Sequence, residues 1–211
     1  GTAIPSWKDE KEFLGDPKAN PVVAWPMHLF DCSPISDGAA CLLLVAEEIA
    51  TSFTDTPIYL RGLGQASGRS LDGSKDLTSL EATRHAAAEA YRMADLSPDD
   101  IQFAEVHDCF SIAEILAIED LGFFAPGTGF KAVEEGLTRM DGPKPINTSG
   151  GLKCKGHPVG ATGAAQLIEV WQQLRGSAGP RQLPTADLRF GAAQSMGGTG
   201  GTCTMTILER R

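Results

Sequence analysis

Residues 150–160, GGLKCKGHPVG, set one histidine in a glycine-rich turn directly before a segment that reads as a helix. No other stretch constrains the fold as much. Glycine admits positive φ and a close backbone approach that a Cβ would block. A helix start also presents free N–H groups to an anion. A histidine held there, His157, is poised to handle a proton near neutral pH. Two other segments share this character: residues 107–110 (HDCF) upstream and residues 197–201 (GGTGG) downstream. Three such segments in 211 residues point to one site gathered from separate loops. Each also has a plainer reading. His157 would merely close its turn by hydrogen bonding, and Cys109 would be a small buried hydrophobe. Asp108 either orients the turn or a neighbour or is only a helix cap, and the glycine run would be a tight turn between strands.

Composition bounds the rest. A 42% hydrophobic chain of this length supports one ordinary core with an appendage. Its formal net charge of −9 argues against nucleic acid as the main partner, because backbone phosphates need a basic footprint. A phosphate-bearing ligand needs only a local patch, for which Lys153, Lys155 and Arg139 are candidates. The five cysteines (Cys32, Cys41, Cys109, Cys154 and Cys203) are odd in number and lack metal-ligand spacing. They read as free thiols in a reducing compartment, so the expected location is cytoplasmic and no metal is expected. No apolar run approaches the length of a membrane span, no secretory signal is visible, and Glu209-Arg210-Arg211 is no peroxisomal address.

Along the chain, residues 1–26 read as an extended or loop segment. Residues 39–46 (AACLLLVA) are continuously apolar, either a doubly buried strand or the start of a buried helix. Residues 47–52 read as a short helix, 58–64 as a strand and 65–73 as a loop. Helical spacing of Leu80, Thr83, Ala87, Ala90, Tyr91 and Ala94 predicts an amphipathic helix over 79–94. Ser97-Pro98 signals another helix start. A strand over 101–106 delivers His107 at its end. A helix over 111–121 turns Ile112, Ile115, Leu116 and Ile118 inward, and residues 126–145 form a loop-rich excursion. A helix over 161–174 buries Ala164, Leu167, Ile168 and Trp171. Strands over 188–193 and 203–209 flank the last glycine turn. Alternating strands and helices with active loops at strand ends indicate an α/β architecture.

The chain resembles the thiolase superfamily, in particular the sterol-carrier-protein type. The resemblance is carried by VHDCFSIAEILAIEDLG (106–122), INTSGGLKCKGHPVGATGAAQ (146–166), QSMGGTGG (194–201) and DCSPISDGAA (31–40). It covers nearly the whole chain, most closely from Val106 onward. It implies the thiolase fold, a mixed sheet with helices on both faces, with this chain as the second half. Residues 1–55 would be the end of a loop region plus the last strand and helix of the first domain, and residues 56–211 the C-terminal domain.

Site roles also follow from the resemblance. His157 activates a cysteine nucleophile supplied by the other half and helps bind the thioester oxygen. His107 donates to an enolate or thioester oxygen, and Cys109 is the acid/base at the α-carbon. The Gly198 backbone N–H serves an oxyanion hole. Many thiolases carry Cys-x-Gly at the last motif. Here an ungapped alignment gives Met196-Gly197-Gly198, and one residue of slippage gives Ser195. The acid/base role then falls on Cys109 or is absent. Cys154 is read as incidental.

The implied function is the C-terminal portion of an acyl-CoA acyltransferase. Its substrates are coenzyme A thioesters, it holds no permanent cofactor, and it is inactive without the nucleophile-bearing half. That N-terminal half, a second copy of this chain, or both are the expected partners. Two rivals keep the fold: an aldolase acting on a CoA-linked, steroid-type side chain, and a non-catalytic subunit that binds acyl-CoA or lipid.

Overall fold

A computed structural model describes residues 7–69, 73, 76–185 and 187–211. The chain opens with helix α1 (Glu10–Gly15), capped where the Asp9 carboxylate accepts the Glu12 N–H. A small hairpin of β1 (Val22–Ala24) and β2 (Met27–His28) follows. The central sheet then begins with β3 (Ile58–Ser67). After it come α2 (Glu81–Ala94), β4 (Phe103–Glu105), α3 (Ser111–Asp120), α4 (Gly129–Glu134), α5 (Gly151–Lys155), α6 (Thr162–Arg175), β5 (Phe190–Gly197) and β6 (Thr202–Arg210). The sheet runs β3-β6-β5-β4. β3, β6 and β5 are antiparallel neighbours, while β4 lies parallel to β5.

Helices cover both faces, as the resemblance implies. Ala104, Ala192, Met205 and Ile207 pack under α2 and α3, whereas Phe103 and Ala193 on the opposite face pack against Val170 and Leu174 of α6. Strand period 2 sends alternate residues to opposite faces, which produces this division. The alanine stripe of α2 (Ala82, Ala86, Ala90, Ala94) lets the helix lie almost on the backbone of β3. A Cβ at Gly64 would fall 1.9 Å from the Ala86 carbonyl oxygen, so that position admits glycine alone. Asp95, with φ 56°, ends the helix in the left-handed region, its N–H bonded to the Tyr91 carbonyl.

Several expectations need correction. Residues 39–46 are neither strand nor buried helix. They run without regular structure, and Leu43 and Leu44 are 76% and 79% exposed. An apolar run forms a strand only where a neighbouring edge pairs with it, and no described strand does so. Residues 47–52 do form a short helix, of the 3-10 type. The strand expected over 58–64 extends to Ser67, so residues 65–67 are not loop, and Ser70, Leu71 and Asp72 of that expected loop lie outside the described residues. Residues 126–145 contain α4.

On α3, Ile112 is 49% exposed, and Ala113, Ala117 and Ile118 make the buried stripe. α6 departs furthest from its hydrophobic pattern. Its buried face carries Gln166, Glu169 and Gln173, while Ala164, Leu167, Ile168 and Trp171 are only half-buried. Each of these residues has a partner. Gln166 donates to the Gln194 carbonyl, Glu169 pairs with Arg181 at 2.9 Å, and Gln173 accepts the Leu183 N–H. Groups satisfied in this way cost little to bury, whereas Gln166 Oε1 is buried without a partner among the described residues.

Candidate active site

At the C-terminal ends of β4 and β5 the chain encloses a cavity of about 860 Å³, with His107, Cys109, His157, Met196 and Gly198 on its wall. Three segments far apart in sequence thus reach one place. The parallel pairing of β4 with β5 brings two of them together, since it ends both strands at the same edge of the sheet.

Two hydrogen bonds fix His107. The Val106 N–H donates to Asn147 Oδ1 at 2.8 Å, and the His107 N–H donates to Gln194 Oε1 at 2.9 Å. The imidazole is 6% exposed, and its Nδ1 is buried without a partner among the described residues. Burial, with the neighbouring His157 second, pushes its pKa down to about 4. His107 is therefore neutral at physiological pH and has one N–H to donate.

His157 meets it edge to face, with ring centroids 4.9 Å apart and planes at 82°. Its N–H donates to the Pro34 carbonyl at 3.0 Å. Its Nδ1 lies 2.8 Å from Thr162 Oγ1, and that hydroxyl donates its only proton to the Pro158 carbonyl at 3.1 Å. With the hydroxyl proton on that carbonyl, the neutral ring carries its proton at Nδ1 and a lone pair at Nε2; this tautomer is an assignment from heavy-atom distances.

Residues 31–36 strap these parts together. The Ser33 N–H donates to the Cys109 carbonyl at 2.9 Å, Cys32 bridges to Phe110, and Ile35 bridges to His157. Ser111 also donates to the Asp31 carboxylate at 2.7 Å. The half-buried Cys109 has its thiol pushed up chiefly by burial, with the nearby Asp108 charge acting the same way, so it rests protonated at neutral pH.

Asp108 is a cap, but not of the helix that follows it. Its buried carboxylate accepts the Leu152 N–H at 2.7 Å and the Lys153 N–H at 3.4 Å, at the start of α5. The glycine run is both a turn and part of the cavity wall. It closes the β5–β6 hairpin, the Gly201 N–H donating to the Gly198 carbonyl, with Gly198, Thr199 and Gly200 all at positive φ. Met196 pairs across the strands with Cys203, a buried thiol that also borders the cavity.

Of the candidate phosphate patch, Lys155 is committed elsewhere: it pairs with the buried Glu105 at 3.4 Å and donates to Ser149 Oγ at 2.7 Å. Cys154 is absent from the cavity wall. Among the described residues, no group of three His, Cys, Asp or Glu is arranged to hold a metal. No described helix is long and apolar enough to cross a membrane. Three residues escape the sequence reading. Thr162 had a signal, since it follows His157 within the same turn-to-helix segment. Gln194 and Cys203 had none, because only the sheet brings them to the histidine.

A mixed sheet with helices on both faces and a site at its strand ends defines a thiolase-type α/β domain. A sequence model described as "Thiolase C-terminal domain-like" matches residues 64–210, and the chain belongs to that family. An acetyl-CoA acetyltransferase of Methanothermobacter thermautotrophicus is 53% identical over 190 residues, which is 90% of this chain and 49% of that protein. Sterol carrier protein 2 of Bos taurus is 34% identical over 222 residues, covering 96% of this chain and 40% of its own length. The chain thus spans about half the length, or less, of these curated relatives. Among solved structures, a chain titled Ltp2-ChsH2(DUF35) aldolase superposes with a TM-score of 0.79 at 24% identity. It covers 93% of this chain and 51% of its own, a likeness of fold.

Proposed function

We propose that this chain is the C-terminal catalytic portion of a thiolase-type acyl-CoA acyltransferase, which condenses two acyl-CoA thioesters or cleaves a 3-oxoacyl-CoA with CoA. The observation that carries this is the edge-to-face pair of His107 and His157 in one cavity with Cys109 and the Gly198 turn. The free Nε2 of His157 accepts the proton of a thiol nucleophile, and the resulting thiolate attacks the thioester carbonyl. The N–H of neutral His107 and the turn backbone at Gly198 stabilise the oxyanions that form. In the cleavage direction the protonated Cys109 donates its proton to the α-carbon of the departing enolate. In condensation Cys109 first gives its proton to the CoA thiolate that leaves as the acyl-enzyme forms, and the Cys109 thiolate so produced removes the α-proton of the second acyl-CoA. Coenzyme A thioesters are substrates here, and no resident cofactor is invoked.

A nucleophilic cysteine belongs to the complementary half of the enzyme, so the chain alone is inactive. In this reading residues 1–55 come from the end of the first domain, with residues 31–36 reaching over the site described here, and the exposed run of Leu42, Leu43, Leu44 and Val45 is the surface that the other half covers. The complete protein is a cytoplasmic homo-oligomer in this reading.

The test uses the complete enzyme with acetyl-CoA and CoA. Cys109→Ala should retain acyl-enzyme formation but lose solvent deuterium exchange at the α-carbon. Loss of both, or retention of both, would remove Cys109 from the proposed role. One sequence feature favours a second reading, a non-catalytic subunit that binds acyl-CoA or lipid: an ungapped alignment puts Met196, or Ser195 with one residue of slippage, where many thiolases carry a catalytic thiol. Retro-aldol cleavage of a CoA-linked side chain without an acyl-enzyme would favour the aldolase over the acyltransferase.

A further inference from the structure

The HDCF turn and the GHP turn carry the two histidines, yet His107 and His157 lie 50 positions apart in the chain. Something must hold their rings at 4.9 Å. One side of that link is the strap of residues 31–36. The other is a single buried carboxylate.

The N-cap of helix α5 is Gly150, a residue with no side chain to cap the free N–H groups of the first turn. Asp108 supplies that cap from across the fold, accepting from Leu152 and Lys153. The fit leaves no slack. A Cβ at Gly151, where φ is +65°, would lie 2.2 Å from Asp108 Oδ2. Helix α5 then runs only to Lys155 before Gly156 and His157. Any shift of its first turn therefore passes to the histidine within one short, stiff helix. Asp108 itself sits between His107 and Cys109. No cation lies within ion-pairing distance of it among the described residues, so its charge is held by backbone donors.

We infer that Asp108 is a positioning residue, its carboxylate locking the start of α5 to the HDCF turn and so fixing His157 against His107. The inference rests on the acyltransferase reading only in assigning a purpose to that spacing. Neither the carboxylate nor α5 reaches the reacting atoms, and the effect is transmitted through His157.

Two variants break the contact from opposite sides in the complete enzyme. Asp108→Asn turns one acceptor into a donor facing an N–H, and Gly151→Ala forces a methyl group into the carboxylate. Each should lower kcat about 10- to 100-fold, the scale of a misplaced catalytic group, with KM for the CoA thioester changed less than about threefold. Because both break one contact, the double variant should be no slower than the slower single variant. An independent readout follows the imidazole resonances by NMR. His107 should titrate near 4 in the parent protein and higher in both variants, as His157 moves away. Unchanged His107 titration in folded variants, or kcat losses that multiply in the double variant, would overturn the inference. Should the rings move while no form of the protein transfers acyl groups, the positioning role stands and the acyltransferase reading falls.

Discussion

Lowering the pH tests the burial of His107 directly. In the unfolded chain an imidazole takes up its proton near 6.5, whereas folded His107 refuses it until about 4. At pH 7.5 both states are neutral there and the group contributes nothing. Below 6.5 the unfolded state binds the extra proton, so stability falls, and the penalty is complete only below about 4. With one pKa unit equal to about 1.4 kcal/mol, the loss between roughly pH 7.5 and pH 5 is about 2 kcal/mol. Buried carboxylates complicate a single curve. Glu105 and Glu114 are pushed up by burial, and each favours the folded state as pH falls. The comparison is therefore made against His107→Asn, which keeps those groups and removes the imidazole. Urea denaturation of both proteins should show the parent losing about 2 kcal/mol more than the variant over that interval. Parallel stability curves would refute the buried, neutral state of His107 and its role as an uncharged donor. The same burial implies that the acid limb of the activity profile belongs to a group other than His107.

Replacing Thr162 by Val removes the hydroxyl beside His157 Nδ1 while conserving shape. The expected result in the complete enzyme is a kcat loss of about 10-fold with little change in KM, and unchanged kcat would void the tautomer assignment. Gly64→Ala should destabilise the fold by about 1–3 kcal/mol or more in thermal or urea unfolding, because β3 must move off α2. A neutral result there would mean that the close approach of helix and strand is not real. Leu43→Ser with Leu44→Ser should leave this domain's secondary structure intact by circular dichroism but weaken its association with the complementary half. Association equal to the parent's would place that half elsewhere.

Local pattern made much of the fold legible. The amphipathic helix over 79–94 was legible from its spacing, and Thr83, Ala87, Ala90 and Ala94 are buried as expected, but Ala82 and Ala86, also buried against the strand, were not in that pattern. His107 at a strand end and His157 in a glycine turn were visible for similar reasons, since unusual backbone demands unusual residues. The pattern misled where burial was decided by partners. In α6 the apolar residues advertise one face, yet the chain buries Gln166, Glu169 and Gln173, each with a partner that only the folded sheet and the Arg181 loop provide. Residues 39–46 misled in the opposite sense. Their apolarity states that something should cover them, but not what.

The cap at Asp108 shows the same division. An aspartate beside a helix start was read as a cap, and it is one, but the helix it serves lies 44 residues downstream. Sequence alone singled out the residues whose types suit acid, base and donor chemistry, because that is a property of side-chain type and backbone permission. Tertiary structure alone decided their protonation and spacing. The pKa of His107 near 4, the free Nε2 of His157 and the 4.9 Å between the rings come from burial and from contacts between segments far apart in the chain. Local sequence cannot encode a distance that is set by the strap of residues 31–36 and the cap at Asp108.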